Sequence, residues 1–293
     1  MDQGPAGSVG NADPERVARF FRRSKGALGS FAIDNVLGDV WAREQLSRRD
    51  RSLIVISVLM AVNSSDELDY HLRVALNHGL TREEIGEVIL MIAGYAGFPS
   101  AMPASRVYDA VLESIDGVKR LPEREGAASM GDEERWAAAA DVRRTLTGGK
   151  ADPNPQTDRD NLIKALGPVG EIAFDFAFGE VWSRTEMARR DRSIVVISIL
   201  TALARADELA FHVPAGLNHG LNRTEIEEIM VQVRKTFVQC FLFLQLPDCF
   251  VHAPPRCAYM GASPRPSRGS RRRGRPSRRS TMQARPGCRL CLT

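Results

Sequence analysis

Residues 48–62 read RRDRSLIVISVLMAV, and residues 189–203 read RRDRSIVVISILTAL. In both stretches a charged segment leads into a run that is apolar nearly all round a helix. Such a run is typical of a helix buried at the centre of a domain. The many β-branched residues would also allow a strand, but the length of the run and its polar flanks favour a helix.

These two stretches belong to an internal repeat. With a constant offset of 141 residues and no gaps, residues 38–92 match residues 179–233 at 27 of 55 positions. This period is far too long for a solenoid unit, so it indicates two copies of one small domain. The match stops at Val233, where RKTFVQC replaces the AGYAGFP of residues 93–99. We therefore expect the second copy to be incomplete.

Helix start and stop signals complete an all-α prediction. Ser64 and Glu67 have capping-box spacing, as do Thr81 and Glu84, and Gly79 is expected to end the helix between them. Asn222 retains the cap chemistry in the second copy. The helices expected in the first copy cover residues 14–24, 47–63, 64–78, 81–91 and 104–115.

Positive charge and all the cysteines are concentrated near the carboxyl end of the chain. The chain has a net charge of +4, but from Cys249 onward it contains eleven arginines and no acidic residue. The preceding 248 residues carry 29 basic and 36 acidic side chains, and all five cysteines lie at Cys240 or later. The arginines could bind phosphates nonspecifically, but the composition favours a solvated disordered tail. A change of composition within a repeat is also what a frame change would produce.

The expected organisation therefore has four parts. They are a first domain at 14–116, a linker with a short helix at 117–158, a truncated second domain at 159–236, and a basic Arg/Pro/Cys-containing tail at 237–293 that is predicted to be disordered. Because the repeats lack cysteine and the polar N-terminus has no signal-peptide pattern, the expected location is cytoplasmic. The longest apolar stretch, near residues 237–246, is too short to cross a bilayer, so neither a membrane nor a specific nucleic acid is an expected partner.

An ordered set of motifs resembles the carboxymuconolactone decarboxylase family. The set comprises Gly38-Asp39-Val40-Trp41-x-Arg43, Arg48-x-x-Arg51-Ser52-Leu53, Glu67-x-x-x-His71-x-x-x-Ala75-x-x-x-Gly79-Leu80-Thr81-x-Glu83-Glu84-Ile85-x-Glu87, and Tyr95-Ala96-Gly97-Phe98-Pro99. The resemblance covers about residues 27–115 and, without the last motif, 168–233. It implies two tandem all-α domains of the carboxymuconolactone decarboxylase-like (alkylhydroperoxidase D-like) type, which form homo-oligomers. It also implies a cofactor-free activity on a small carboxylate or lactone in aromatic-compound catabolism.

A sister branch of this family, the alkylhydroperoxidase D-type proteins, uses a Cys-x-x-Cys pair ahead of the shared histidine. Those two positions are Ser64 and Glu67 in the first copy, and Arg205 and Glu208 in the second. Thiol peroxidation requires a thiolate and a resolving thiol. A thiol peroxidase activity is therefore the disfavoured alternative, and no metal site is expected.

Decarboxylation of an unsaturated lactone carboxylate leaves a dienolate that must then be protonated at a ring carbon. Arg51 could bind the substrate carboxylate in a bidentate manner. His71 is the expected proton donor, and Glu67, one helical turn earlier, could orient it or raise its pKa. Tyr95 and Phe98 are expected to form a pocket wall.

Each of these residues also has a structural interpretation. Glu67 could satisfy the helix start, Arg51 could form an internal ion pair, and His71 could be a core histidine. The equivalents in the second copy are Arg192, Glu208 and His212.

The second copy also contains Pro214, which is expected to bend its helix. If one copy works, we expect it to be the first. Two alternatives remain open: both copies together build one pocket, or the repeats form a non-catalytic helical module.

Overall fold

The computed structural model describes residues 32–116 and 130–236, with isolated positions between 19 and 30. Within these ranges all regular structure is helical, as predicted. A π-helical segment, π1 (Ala32–Gly38), precedes the helices α1 (Arg48–Ala61), α2 (Ser65–Asn77), α3 (Arg82–Tyr95) and α4 (Phe98–Asp116). The remaining elements are α5 (Asp132–Leu146), α6 (Pro155–Leu166), α7 (Pro168–Ile172), π2 (Ala173–Trp182), α8 (Arg189–Ala202), α9 (Ala206–Asn218) and α10 (Arg223–Thr236). Most of the helix expected at 14–24, the linker residues 117–129 and the tail expected at 237–293 lie outside the described residues.

The repeat seen in the sequence recurs in the helix boundaries. The pairs α1 and α8, α2 and α9, and α3 and α10 begin and end at positions that differ by the same 141 residues. A reciprocal capping box opens α3 at Thr81, and Asn222 forms the equivalent pair of bonds with Glu225 at the start of α10. Gly79 and Gly220 follow α2 and α9 with φ of 93° and 94°, a conformation that glycine adopts without steric cost. Pro214 lies inside α9, which continues to Asn218.

One predicted cap is wrong. Ser64 precedes α2, but its side chain accepts no hydrogen bond from the helix backbone. Its hydroxyl instead donates to Oε2 of Glu67 at 2.6 Å. With ψ of 70°, Ser64 is outside the extended conformation that usually aims a capping oxygen at the amides of the first turn. The Ser64–Glu67 pair therefore fixes the Glu67 carboxylate rather than the helix end.

The two repeats share one hydrophobic core. The helices α1 and α8 pack against each other, and α1 is buried at every position from Asp50 to Ala61. The helix α3 of the first repeat packs on α8 and π2, while α10 of the second repeat packs on α1. On the outside, α4 covers α1, α2 and α3, and α5 packs against π2, α6 and α9. Residues of both repeats therefore surround each central helix.

Among the described helices, none has the length and apolar character that crossing a membrane would require.

Candidate active site

Two fully buried arginines connect the repeats. Arg51 on α1 donates from Nη2 to Oε1 of Glu228 at 3.0 Å and to the main-chain oxygen of Arg43 at 2.7 Å. Its Nη1 donates to Oε1 of Gln232 at 2.9 Å. Arg43 adds two hydrogen bonds of 2.8 and 2.9 Å from its Nε to the same Glu228 carboxylate. The guanidinium that was expected to bind a substrate carboxylate is thus paired with a carboxylate of the other repeat.

The same arrangement joins an arginine of the second repeat to a carboxylate of the first. Arg192 on α8 donates from Nη2 to Oε2 of Glu87 at 2.8 Å and to the main-chain oxygen of Arg184 at 3.0 Å. Nε of Arg184 donates to Oε1 of Glu87 at 2.6 Å. The difference is at the position equivalent to Gln232, where the Arg192 guanidinium meets the weakly accepting sulfur of Met91 at 3.8 Å. An interface in which the same residues contact each other in both directions has the geometry of a two-fold dimer, here within one chain.

A second pair of ion pairs lies beside the first. Nη1 of Arg49 is 2.8 Å from Oδ2 of Asp191, and Nη2 of Arg190 is 3.1 Å from Oδ2 of Asp50. Each arginine also pairs with an acidic residue of its own repeat, Glu84 or Glu225. The repeated Arg-Arg-Asp-Arg sequence at the start of α1 and α8 is therefore an interface motif.

The first candidate proton-transfer residue, His71, lies on α2 beside Glu67. Burial lowers the pKa of His71 to about 4, and the Glu67 carboxylate acts against that shift. The pKa of Glu67 is itself lowered, mainly by the hydrogen bond from Ser64. Tyr70 contacts the imidazole edge-on, with ring centroids 5.3 Å apart. His71 is therefore neutral at pH 7, with an anion close enough to favour its protonation.

The equivalent histidine, His212 on α9, lies between aromatic rings. Trp182 is stacked nearly parallel to it at 14°, with centroids 6.1 Å apart, and Tyr95 meets it edge-on at 5.3 Å. Nε1 of Trp182 donates to the Tyr95 hydroxyl at 2.8 Å. Burial, reinforced by His219, lowers the pKa of His212 to about 3. Glu208, exposed like Glu67, is not among the groups that shift the pKa of His212.

The structure separates the residues expected in the pocket wall. Tyr95 belongs to the first repeat but contacts His212 of the second, because the last turn of α3 packs against α8 and π2. Phe98 is 62% exposed at the start of α4. The structure therefore does not bring the expected set together: Arg51 and Tyr95 contact residues of the second repeat, and Glu67 is the member that acts electrostatically on His71.

Two further histidines are structural. Nδ1 of His78 is 2.7 Å from the hydroxyl of Ser52, and Nδ1 of His219 is 2.8 Å from that of Ser193. Burial lowers the pKa of both imidazoles. Each neutral ring therefore joins the end of one helix to a neighbouring central helix. Within the described ranges, no three metal-ligating side chains gather into a potential metal site.

Comparison with known proteins agrees with this architecture. The sequence pattern of the Carboxymuconolactone decarboxylase family matches residues 32–110 and 168–236, about half of the chain. The chain belongs to the carboxymuconolactone decarboxylase family. Both matched regions coincide with the helical repeats, so the chain carries two tandem copies of the family's domain.

Three relatives are similar to parts of this family member. A 4-carboxymuconolactone decarboxylase of Acinetobacter baylyi is 41% identical over 78 residues, which are 27% of this chain and 58% of that protein. A nitrosuccinic acid decarboxylase of Metarhizium robertsii is 40% identical over 78 residues, 27% of this chain and 54% of that protein. Peroxisomal protein 2 of Schizosaccharomyces pombe is 35% identical over 72 residues, 24% of this chain and 34% of that protein. The chain thus spans little more than half the length of the two decarboxylases.

Sequence reasoning missed the acidic partners of the buried arginines. Glu87 and Glu228 lie at equivalent positions among the apolar residues of α3 and α10, and both are buried. A carboxylate retained on the buried face of a helix in both copies is the signal that indicates an ionic partner. The Trp182–Tyr95 hydrogen bond had no comparable signal, because its two residues come from different repeats.

Proposed function

We propose that this member of the carboxymuconolactone decarboxylase family is a cofactor-free lyase that decarboxylates a small cyclic carboxylate, with γ-carboxymuconolactone as the first substrate to test. The supporting observation is that each repeat holds a buried or partly buried histidine at the same helix position. Within the described residues, neither His71 nor His212 commits a ring nitrogen to a protein hydrogen bond. The similarity to two decarboxylases supports the same reaction class.

Decarboxylation of the lactone requires a group that protonates the ring after carbon dioxide has left. When carbon dioxide leaves, the electron pair of the broken carbon–carbon bond moves through the ring double bond into the lactone carbonyl and forms a dienolate. The dienolate then takes a proton at a ring carbon. A buried imidazole that is neutral in the free protein becomes a stronger base when an anionic substrate binds beside it. The resulting imidazolium gives its proton to the ring carbon and regains one from water.

The first repeat adds Glu67 to this scheme. Its carboxylate raises the pKa of His71 against the effect of burial, and the Ser64 hydroxyl holds it in place. We assign Glu67 the role of a positioning residue for His71. We assign Arg51 and Arg192 to the repeat interface, because a guanidinium that already pairs with a buried carboxylate would have to leave that partner to bind a substrate.

The test is the ultraviolet absorbance of γ-carboxymuconolactone with the wild type, His71→Gln, His212→Gln and the double variant. We expect the wild type to consume the lactone and the double variant to lose at least about 100-fold in kcat, the usual contribution of general acid catalysis. A helical spectrum that matches the wild type controls for folding. A folded double variant with wild-type kcat, or a folded wild type without turnover, would contradict the proposal.

The pH profile tests the protonation state. If the imidazolium is the active form, kcat/KM rises about tenfold per unit as the pH falls from 7 towards 5, because both pKa values lie below that range. A kcat/KM that stays constant over this range would show that the neutral imidazole is the active form, and would refute the imidazolium step.

A further inference from the structure

Tyr95 of the first repeat contacts His212, the proposed proton-transfer histidine of the second repeat. Its ring meets the His212 imidazole edge-on at 5.3 Å, and its hydroxyl accepts the Trp182 indole hydrogen at 2.8 Å. Trp182 stacks on the same imidazole. The three side chains form a set in which each contacts the other two, Tyr95 and Trp182 through their hydrogen bond and both through ring contacts with His212.

Two members of this set are buried, and Tyr95 is partly buried. Trp182 is 1% exposed and His212 is 7% exposed. In the described part of the chain the His212 nitrogens have no hydrogen-bonding partner, so packing against Trp182, Tyr95 and the adjacent Phe211 fixes the plane of the ring. A proton donor without a hydrogen-bonded orienting partner needs such packing, because displacement of a reacting group by about 1 Å costs on the order of 100-fold in rate.

The first repeat does not reproduce the set. The position equivalent to Tyr95 is Thr236, whose hydroxyl donates to the main-chain oxygen of Gln232 in its own helix. Trp41, equivalent to Trp182, makes its described ring contact with His78 at 5.7 Å. His71 therefore has the acidic neighbour Glu67, whereas His212 has the complete aromatic set.

We propose that Tyr95 is a positioning residue for His212, and that these two residues with Trp182 form one composite active site built by both repeats. The proposal rests on the lyase function proposed above. It assigns the main proton transfer to His212. The activity of the second repeat then depends on Tyr95, which lies at the end of α3 in the first repeat. The second copy has Thr236 in place of the tyrosine that would serve His71.

Two substitutions of Tyr95 separate its ring from its hydroxyl. Tyr95→Phe keeps the ring against His212 but leaves the Trp182 indole hydrogen without an acceptor. Tyr95→Thr copies the residue found at position 236 and removes both contacts. Tyr108→Phe is the matched control, because the Tyr108 hydroxyl donates to a main-chain oxygen at 2.9 Å within the first repeat.

Turnover of γ-carboxymuconolactone gives the first readout. We expect Tyr95→Phe to lower kcat by about tenfold with little change in KM, since a shifted ring orientation affects the transition state more than binding. Tyr95→Thr and His212→Gln should lower kcat further, and Tyr108→Phe should match the wild type. If His71→Gln abolishes turnover while the Tyr95 and His212 variants keep wild-type kcat, the composite site is refuted and the lyase function stands.

Nuclear magnetic resonance titration of the histidine ring protons gives a second readout that needs no turnover. Tyr95→Thr opens the His212 ring to water, so we expect its pKa to rise from about 3 towards the ordinary value near 6.5. Tyr95→Phe should leave the pKa low, and the His78 resonance serves as an internal control. An unchanged His212 titration in Tyr95→Thr would overturn the positioning role even if the enzyme were active.

Discussion

Replacement of Glu87 by glutamine is expected to destabilise the fold by about 3 kcal/mol. The Glu87 carboxylate is 3% exposed and compensates Arg192, whose side chain is fully buried. Removal of one partner of a buried ion pair costs about 3–5 kcal/mol, because the remaining charge stays desolvated. The glutamine oxygen can still accept one hydrogen bond, which places the expected loss at the lower end. Arg184, the second donor to Glu87, retains Glu186 at 3.2 Å.

Urea denaturation followed by far-ultraviolet circular dichroism measures this loss. Glu228→Gln should cost about the same, because it leaves the fully buried Arg51 without its carboxylate partner. Glu227→Gln is the control, since its partner Arg223 is 59% exposed and such surface pairs contribute at most about 1 kcal/mol. If Glu87→Gln and Glu227→Gln lose the same free energy of unfolding, the ion pairs do not hold the repeats together and the reasoning is wrong.

Three further outcomes are expected. Lowering the pH from 7 to 5 should reduce the free energy of unfolding, because the unfolded His212 binds a proton near pH 6.5 whereas the folded one does so only near pH 3. Urea titrations at both pH values should show that His212→Gln loses about 2 kcal/mol less free energy of unfolding than the wild type between pH 7 and pH 5. Equal losses in the two proteins would contradict a buried neutral His212. Ala204→Gly should stabilise the fold by about 1 kcal/mol, because Ala204 has a φ of 54°, which strains an alanine. Asn63→Gly at the equivalent position should change the stability little, because asparagine tolerates its φ of 58°. Equal shifts of the melting temperature in the two variants would refute the strain at Ala204. Gly170→Ala should destabilise by about 1–3 kcal/mol, because the added carbon would overlap a main-chain oxygen of α6. Gly94→Ala should stabilise the fold by about 0.5–1 kcal/mol, because Gly94 lies in a helix with open space around it. Thermal melts in which Gly170→Ala is the more stable of the two variants would show that the packing around Gly170 can relax.

Local signals predicted the helices well. The apolar run of α1, the cap at Thr81 and the stop at Gly79 depend on residues within one or two turns, and each lies where the sequence indicated. The Ser64 cap was wrong because spacing alone does not set the backbone angle that a cap requires. The homo-oligomer and the cytoplasmic location stay predictions.

The site was less predictable. The pairing of Glu67 with His71 follows from their spacing on one helix, and the structure agrees with it. The carboxylate partner of Arg51 lies 177 residues away in the other repeat, and Tyr95, one of the rings around His212, also comes from the other repeat. Helical periodicity shows that a residue faces the core, but it does not show which helix lies opposite.

The sequence alone therefore determined the family, the all-α fold, the duplication and the histidine positions, because these depend on local periodicity and on recurring motifs. Only the tertiary structure decided that the repeats share one core, that Arg51 and Arg192 hold the repeats together, and that Tyr95 lies beside His212. The physical reason is that α1 and α8 each bury their whole circumference, which requires helices from both repeats to cover them. That exchange of helices brings the last turn of α3 to the histidine of the second repeat.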